Sequence, residues 1–134
     1  MSTRPRVFEF AVTVDEAWDA RSERGGDPLA VDDEYWAPEH LVLAGLARCS
    51  LTSLRYHCRQ AGVELSSHAS ARGTVTRRDE DGRFAFVEIA VEADVAFEPK
   101  PDEATVAELL EKGERDCFVG ASLTAQPRYE WRVA

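Results

Sequence analysis

The stretch LAGLARCSLTSLRYHC, residues 43–58, carries two of the chain's three cysteines, Cys49 and Cys58, in one apolar segment. Pro38 suits the first turn of a helix, and Gly62 suits the residue just past its end. Residues 39–60 contain no proline and a single glycine, so we predict a long helix there. Apolar side chains cover its first three turns nearly all round, which is typical of a buried helix. In so small a protein, that burial indicates a covering second subunit.

The segments outward from this helix predict an α+β protein. The alternation of VFEFAVTV predicts a strand, and the glycine- and proline-containing segment 19–36 predicts a loop or an irregular edge. A β-hairpin turns at DEDG, residues 79–82. One face of its second strand should carry Ala85, Val87, Ile89, Val91, Ala93, Val95 and Phe97. The expected elements are a strand at 7–14, the long helix, hairpin arms at 69–78 and 83–99, a helix at 101–117 capped by Asp102, and a strand at 122–133 interrupted at Pro127.

The expected architecture is a single domain, 1–134, with an antiparallel sheet around a buried central helix. The net charge of −9 and the pI near 4.8 argue against nucleic acid or an anionic membrane as partner. The N-terminus lacks the pattern of a signal peptide, and no apolar run is long enough to cross a bilayer. We therefore expect a cytoplasmic protein, whose thiols are kept reduced.

The cysteines allow four interpretations: inert packing, a disulfide framework, metal ligation or redox chemistry. An odd count weakens the framework, and nine residues place Cys49 and Cys58 on opposite faces of one helix. His40, His57 and His68 do not show zinc-ligand spacing with the cysteines, which weakens metal ligation. Cys58 is expected to be a packed, idle thiol. Cys49 lies among small residues, and the residues alone do not separate packing from chemistry there.

Two motifs carry a resemblance to a known family. The segment APEHLVLAGLARC resembles the signature of the OsmC/Ohr family of thiol-dependent peroxidases, with Pro38, Glu39 and Cys49 matching its proline, glutamate and peroxidatic cysteine. The segment ERDCFVGASL resembles the family's second cysteine segment, in which Cys117 matches the resolving thiol. Phe118 after the second cysteine, and Ser50 after the first, favour the broader OsmC-like group over the organic hydroperoxide resistance branch.

The resemblance implies a reaction and a set of partners. A Cys49 thiolate would attack a hydroperoxide, become a sulfenic acid and condense with Cys117, and an external dithiol would reduce the resulting disulfide. An N-terminal arginine, Arg21 or Arg24, would activate Cys49, and Glu39 would orient that arginine. The resemblance implies no metal, flavin or haem. It also implies an intertwined homodimer with residues of both chains around each site.

Two further classes of function compete with the peroxidase. The first is a non-catalytic member of the family that binds a small apolar or thiol-bearing ligand. The second is a structural dimerisation module in which all three thiols pack inertly. A fast reaction of Cys49 with peroxide would separate the peroxidase from the non-catalytic member, and the packing module predicts that neither Cys49 nor Cys117 titrates below the ordinary thiol range.

Overall fold

The computed structural model describes residues 5–31 and 34–134. It divides into two compact units, Met1–Leu41 and Val42–Ala134, which are described in turn. The order of elements is β1 Val12–Val14, β2 Asp19–Ser22, β3 Leu29–Ala30, α1 Pro38–Gln60, β4 Glu64–Arg77, β5 Phe84–Glu98, α2 Glu103–Arg115, α3 Phe118–Ala121 and β6 Arg128–Val133.

The first unit contains a three-stranded antiparallel sheet in the order β1–β2–β3. The strand predicted at 7–14 is confirmed only over β1. In the segment 19–36, which was predicted to be a loop or an irregular edge, the structure forms the two short strands β2 and β3. The Asp15 side chain organises the turn before β2, because its Oδ1 accepts hydrogen bonds from the backbone N–H groups of Ala17 and Asp19, both at 3.0 Å. Strands this short cannot be predicted from side-chain alternation, because their backbone pairing with neighbouring strands defines them.

The apolar side chains of the first unit remain exposed. Among its described residues none is buried. Phe10 is 68% exposed, Val12 65% and Trp18 59%. The hydrophobic alternation at 7–14 therefore lacks a core within this unit.

Helix α1 confirms the predicted long helix, including its end before Gly62, which has the positive φ of 73° expected of a helix-terminating glycine. Its buried residues are Leu46, Ser50, Ser53, Leu54 and Cys58. Val42 and Tyr56 lie on its exposed side, with Tyr56 55% exposed. Within one chain, burial therefore covers part of the circumference of α1 and not all of it.

The second sheet corrects the prediction of a wholly antiparallel arrangement. Strands β4 and β5 form the predicted antiparallel hairpin, and the Arg78–Asp81 ion pair, 2.7 Å from Nη2 to Oδ2, braces its turn. Strand β6, however, pairs with β5 in parallel. The physical reason is the connection, since α2 and α3 lie between the two strands and return the chain to the end at which β5 begins.

A β-bulge corrects the predicted facing of β5. Thr74 pairs with Glu88 but Val75 pairs with Phe86, so Val87 is the extra residue of the bulge. An extra residue reverses the alternation on its far side. The odd-numbered residues from Ile89 to Phe97 are buried as predicted, whereas Val87 is exposed and Phe86 packs inward in its place.

Helix α2 is confirmed, and the Asp102 Oδ1 atom caps it by accepting a hydrogen bond from the Thr105 N–H at 2.8 Å. Gly113 lies against Leu54 of α1, and the four-residue helix α3 was not predicted.

The buried side chains form two clusters. The first, the α2 cluster, contains Leu54, Cys58, Val63, Ala93, Val95, Phe97, Val106 and Leu109. The second, the thiol cluster, contains Leu46, Ile89, Val91 and Cys117, with Cys49, Val119 and Tyr129 among the side chains packed on it.

Candidate functional site

Cys49 and Cys117 meet in the thiol cluster. Cys49 projects from the middle of α1 and is partly exposed, whereas Cys117 is fully buried at the N-cap of α3. Both are free thiols, both belong to the thiol cluster, and Cys117 contributes to the rise of the Cys49 pKa. The fold thus brings together two thiols that lie 68 residues apart in the sequence.

The surroundings of Cys49 act on its pKa in opposite directions. Burial raises the pKa of the Cys49 thiol, because desolvation disfavours the thiolate. The backbone N–H groups of Val119 and Phe118, in the first turn of α3, lower it by hydrogen bonding to the sulfur, and Cys117 raises it. The net direction is upward, so within one chain the Cys49 thiol keeps its proton at neutral pH.

Cys117 lies within a network of polar groups. The Gly120 N–H donates a hydrogen bond to its Sγ atom at 3.3 Å, and the Ser50 Oγ atom lies 3.6 Å from the same sulfur. The Ser50 hydroxyl also lies 3.1 Å from the Tyr129 hydroxyl. Ser50 itself is fully buried, and its O–H donates to the Leu46 carbonyl oxygen at 2.8 Å.

Tyr129 contributes a second hydroxyl to this network, through its contact with the Ser50 oxygen. Burial raises the pKa of Tyr129 to about 12, and interaction with Cys117 adds to the rise. Its ring stacks on Trp131 with the centroids 5.6 Å apart and the planes 4° from parallel. Its backbone pairs with Val91 of the central strand. These contacts fix where the hydroxyl lies.

A second polar contact anchors the loop that carries Cys117. His57, near the end of α1, and Asp116 are joined by a contact of 2.7 Å between Nε2 and Oδ2. The Arg115 guanidinium, by hydrogen bonding to Asp116, is the main reason that the pKa of that carboxyl falls to about 2, and His57 adds to the fall. The residue directly before Cys117 is therefore held by both α1 and α2.

The remaining predicted residues lie elsewhere in the chain. Glu39 is exposed in the first turn of α1, ten residues before Cys49. Arg21 pairs with Asp15, with 3.6 Å between Nε and Oδ2. Arg24 pairs with Glu23 at 3.9 Å, from Nε to Oε1.

Cys58 is fully buried in the α2 cluster, where burial raises its pKa. This position agrees with the predicted packed thiol on the opposite face of α1 from Cys49. The sequence analysis did not identify Ser50, Tyr129 or the His57–Asp116 pair as parts of the site. Ser50 adjoins Cys49 in sequence, but Tyr129 reaches the site only through the parallel pairing of β6, which no local pattern signals.

Comparison with solved structures shows the fold. The chain resembles an OsmC-like protein of unknown function from Vibrio cholerae, with 12% identity, a TM-score of 0.76, and 93% and 99% of the two chains covered. An OsmC-like protein from Mycoplasma pneumoniae matches with 15% identity, a TM-score of 0.74, and 98% and 99% coverage. An organic hydroperoxide resistance protein from Elizabethkingia anophelis, with thiocyanate bound, matches with 18% identity, a TM-score of 0.70, and 98% and 99% coverage.

Comparison with family models shows the family. Residues 31–132 match the model described as OsmC-like protein, so the chain belongs to the OsmC-like family. This confirms the resemblance carried by Pro38, Glu39 and Cys49. A comparison with curated protein sequences gives no significant match. In the parts of the chain that the structure describes, no helix has the length and apolarity to span a membrane.

Proposed function

We propose that the protein is a thiol-dependent peroxidase that reduces organic hydroperoxides through Cys49 and Cys117. The observation that carries the proposal is that these two free thiols share one cluster of side chains, in which Cys49 is partly exposed and Cys117 is fully buried. A partly exposed sulfur can meet a peroxide, and a buried neighbouring thiol can then condense with the sulfenic acid. The membership of hydroperoxide resistance proteins among the structural relatives supports this choice.

The proposed cycle needs only thiols and a peroxide. The Cys49 thiolate attacks one peroxide oxygen, the O–O bond breaks, and the alkoxide leaves as an alcohol after it takes up a proton. Cys49 becomes a sulfenic acid, and Cys117 displaces its hydroxyl to form a disulfide with release of water. An external dithiol then reduces the disulfide by thiol exchange and is itself oxidised. The apolar surroundings in the thiol cluster favour an organic substrate over hydrogen peroxide.

Activation of Cys49 requires a positive charge, because burial raises the pKa of its thiol. We propose Arg21 or Arg24 for this role, with Glu39 orienting the guanidinium through a charge-assisted pair. Ten residues of α-helix separate Glu39 from Cys49 by about 15 Å along the axis, farther than a glutamate side chain reaches. The Glu39 and the arginine that act on one Cys49 are therefore assigned to the partner subunit.

A homodimer also explains the exposed apolar surface. The described residues of the first unit include no buried side chain, although Phe10 and Val12 are both more than 60% exposed. A sheet with such a surface requires a cover, and a second copy of the chain would provide one. We expect a dimeric mass in sedimentation equilibrium at micromolar concentration. A monomer under those conditions would contradict the assignment.

Hydroperoxide consumption in the presence of a dithiol tests the proposed reaction. Cys49→Ser should lower the rate at least 100-fold, because the hydroxyl does not react with peroxides as a thiolate does. Cys58→Ala is the matched control, since its sulfur lies in the α2 cluster, and it should keep the wild-type rate. Peroxidase activity that survives in Cys49→Ser would overturn the proposal.

Subunit complementation tests the assignment of Glu39 to the partner. Cys49→Ser and Glu39→Gln chains should each be weakly active alone. Refolded together at equal amounts, they should recover activity at about a quarter of the sites, because half of the dimers are mixed and each has one intact site. No recovery would place Cys49 and its Glu39 in one chain.

A non-catalytic role remains the second candidate, and the raised pKa of Cys49 is the observation that favours it. A protonated thiol in an apolar cluster suits binding of a small apolar ligand better than peroxide reduction. In that case, Cys49 would stay reduced when a stoichiometric hydroperoxide is added. The wild-type protein would then show no dithiol-dependent consumption.

A further inference from the structure

The network around Cys117 raises the question of what stabilises this second thiol when it loses its proton. Condensation with a sulfenic acid needs a nucleophilic sulfur, yet Cys117 is fully buried. A buried thiolate requires hydrogen-bond donors in place of water. The Gly120 N–H donates to its Sγ atom at 3.3 Å, the Ser50 oxygen lies 3.6 Å from the same sulfur, and the Tyr129 hydroxyl lies 3.1 Å from that Ser50 oxygen.

The positions of the protons distinguish these three groups. The Ser50 O–H is directed to the Leu46 carbonyl at 2.8 Å, which leaves the lone pairs of its oxygen facing Tyr129 and Cys117. Ser50 is therefore an acceptor toward both. Tyr129 must then donate, either to Ser50 at 3.1 Å or to the sulfur of Cys117.

We propose that Tyr129 is the positioning residue of the resolving step: its hydroxyl donates to Ser50 while Cys117 is a thiol, and turns to donate to the Cys117 sulfur as the thiolate forms. Ser50 holds the hydroxyl in reach of the sulfur during the exchange. This inference rests on the proposed peroxidase cycle and adds to it the residues that prepare the second thiol.

The exchange balances in atoms and electrons. In the thiol state, the Cys117 S–H faces the Ser50 oxygen. In the condensation, the Cys117 S–H bond breaks, the S–O bond of the Cys49 sulfenic acid breaks, and an S–S bond forms. The departing hydroxide takes up the proton that left Cys117, which gives water. The Cys49 sulfur is reduced, the Cys117 sulfur is oxidised, and Tyr129 keeps its own proton throughout.

The structure gives two reasons for assigning this role to Tyr129. First, its ring is fixed by stacking on Trp131 and by backbone pairing with Val91, so the hydroxyl needs only to rotate about its C–O bond. Second, its pKa of about 12 keeps it a donor wherever Cys117 titrates. A methyl group on Gly120 would lie 3.3 Å from the Tyr129 oxygen and 3.4 Å from the Cys117 sulfur, which shows how closely the three groups meet.

The test compares Tyr129→Phe with the matched control Tyr56→Phe. Tyr129→Phe keeps the ring on Trp131 and removes only the hydroxyl, and Tyr56 is an exposed tyrosine of α1. Rapid mixing of each reduced protein with one equivalent of cumene hydroperoxide, quenched with a sulfenic-acid trap, separates oxidation of Cys49 from formation of the disulfide. Each rate is measured from pH 5 to pH 9.

Tyr129→Phe should oxidise Cys49 at the wild-type rate, form the disulfide at least tenfold more slowly, and accumulate trapped sulfenic acid. The pH midpoint of disulfide formation should rise by about one unit, because loss of one donor to a thiolate raises its pKa by that order. Tyr56→Phe should match the wild type in both steps. An unchanged rate and an unchanged midpoint in Tyr129→Phe would overturn the proposal.

A titration independent of peroxide separates this inference from the proposed function. In a Cys49→Ser, Cys58→Ala background, Cys117 is the single cysteine, and the ¹³Cβ shift of labelled cysteine follows its ionisation. Adding Tyr129→Phe should raise the midpoint by about one unit. Ser50→Ala should instead lower it, because this change removes the acceptor of the Cys117 S–H and frees the Tyr129 hydroxyl to donate to the sulfur, whereas Ser53→Ala, on the same helix, should leave it unchanged. If the wild type ignores peroxide yet these shifts occur, the peroxidase cycle fails and the thiolate contact stands. No shift overturns the contact.

Discussion

Two buried serines on one face of α1 provide a direct measure of how much the site network contributes to stability. Ser50 and Ser53 are both buried, and they stand three residues apart. The Ser50 oxygen has Leu46 and Tyr129 as partners, whereas the Ser53 oxygen has no hydrogen-bond partner among the described residues. Each substitution by alanine therefore removes a side-chain oxygen, which is hydrogen-bonded in Ser50 and without a partner in Ser53.

The magnitudes follow from this difference. A buried hydroxyl without a partner costs about 1–3 kcal/mol, and alanine gains roughly 0.5 kcal/mol of helix propensity over serine. Ser53→Ala should therefore raise the free energy of unfolding by about 1.5–3.5 kcal/mol. Ser50→Ala removes an acceptor from the buried Tyr129 hydroxyl and should lower the free energy of unfolding by about 0.5–2 kcal/mol after the same propensity gain.

Urea denaturation at pH 7 under reducing conditions measures both variants, with the protein concentration held constant because dimerisation adds to stability. The melting temperatures should differ in the same direction, by about 3–5 °C per kcal/mol for a chain of this length. Equal effects of the two substitutions, or a more stable Ser50→Ala, would refute the reasoning. The hydrogen bonds of Ser50 would then contribute nothing to stability.

Three further predictions concern the loop that carries the second thiol. Gly120→Ala would place a Cβ atom 3.3 Å from the Tyr129 oxygen, so disulfide formation should slow severalfold in quenched-flow assays. An unchanged rate would show that the backbone moves to accommodate the added methyl group without displacing Tyr129. His57→Ala should lower the free energy of unfolding, measured by urea denaturation, by about 1–2 kcal/mol, since it removes the 2.7 Å contact to Asp116. Asp116→Ala in the same background should then lower the free energy of unfolding only slightly further. Arg115 holds the pKa of Asp116 at about 2, below its unfolded value of about 3.9, so Asp116 stabilises the fold above pH 4 and loses that contribution as the pH falls toward 2. Asp116→Asn should therefore make the free energy of unfolding depend less on pH between these values. An unchanged acid transition would contradict this prediction.

The sequence predicted the elements whose pattern is local. Helix α1 has a proline at its start, a glycine past its end and only one helix-breaking residue, a glycine, between them, so its bounds could be predicted. The hairpin arms alternate over a long run, and Asp102 stands at the cap of α2 where its side chain accepts the Thr105 N–H. The resemblance also singled out Cys49 and Cys117, which the fold brings into one cluster of side chains.

Features that depend on pairing between segments far apart in the sequence could not be predicted. The parallel pairing of β6, the bulge at Val87 and the short strands of the first unit arise from which segments meet, and alternation carries no information on that. Tyr129 was therefore seen only as an alternating residue of a strand. The resemblance supplied Glu39 and the choice of arginines, and their supply by a second subunit is part of the proposal.

The most direct test of the central claim is to treat the reduced protein with one equivalent of cumene hydroperoxide and map its peptides by mass spectrometry without reduction. The account predicts a disulfide between Cys49 and Cys117 within seconds, absent in Cys49→Ser and unaffected by Cys58→Ala. If Cys49 and Cys117 remain reduced, the peroxidase proposal is contradicted.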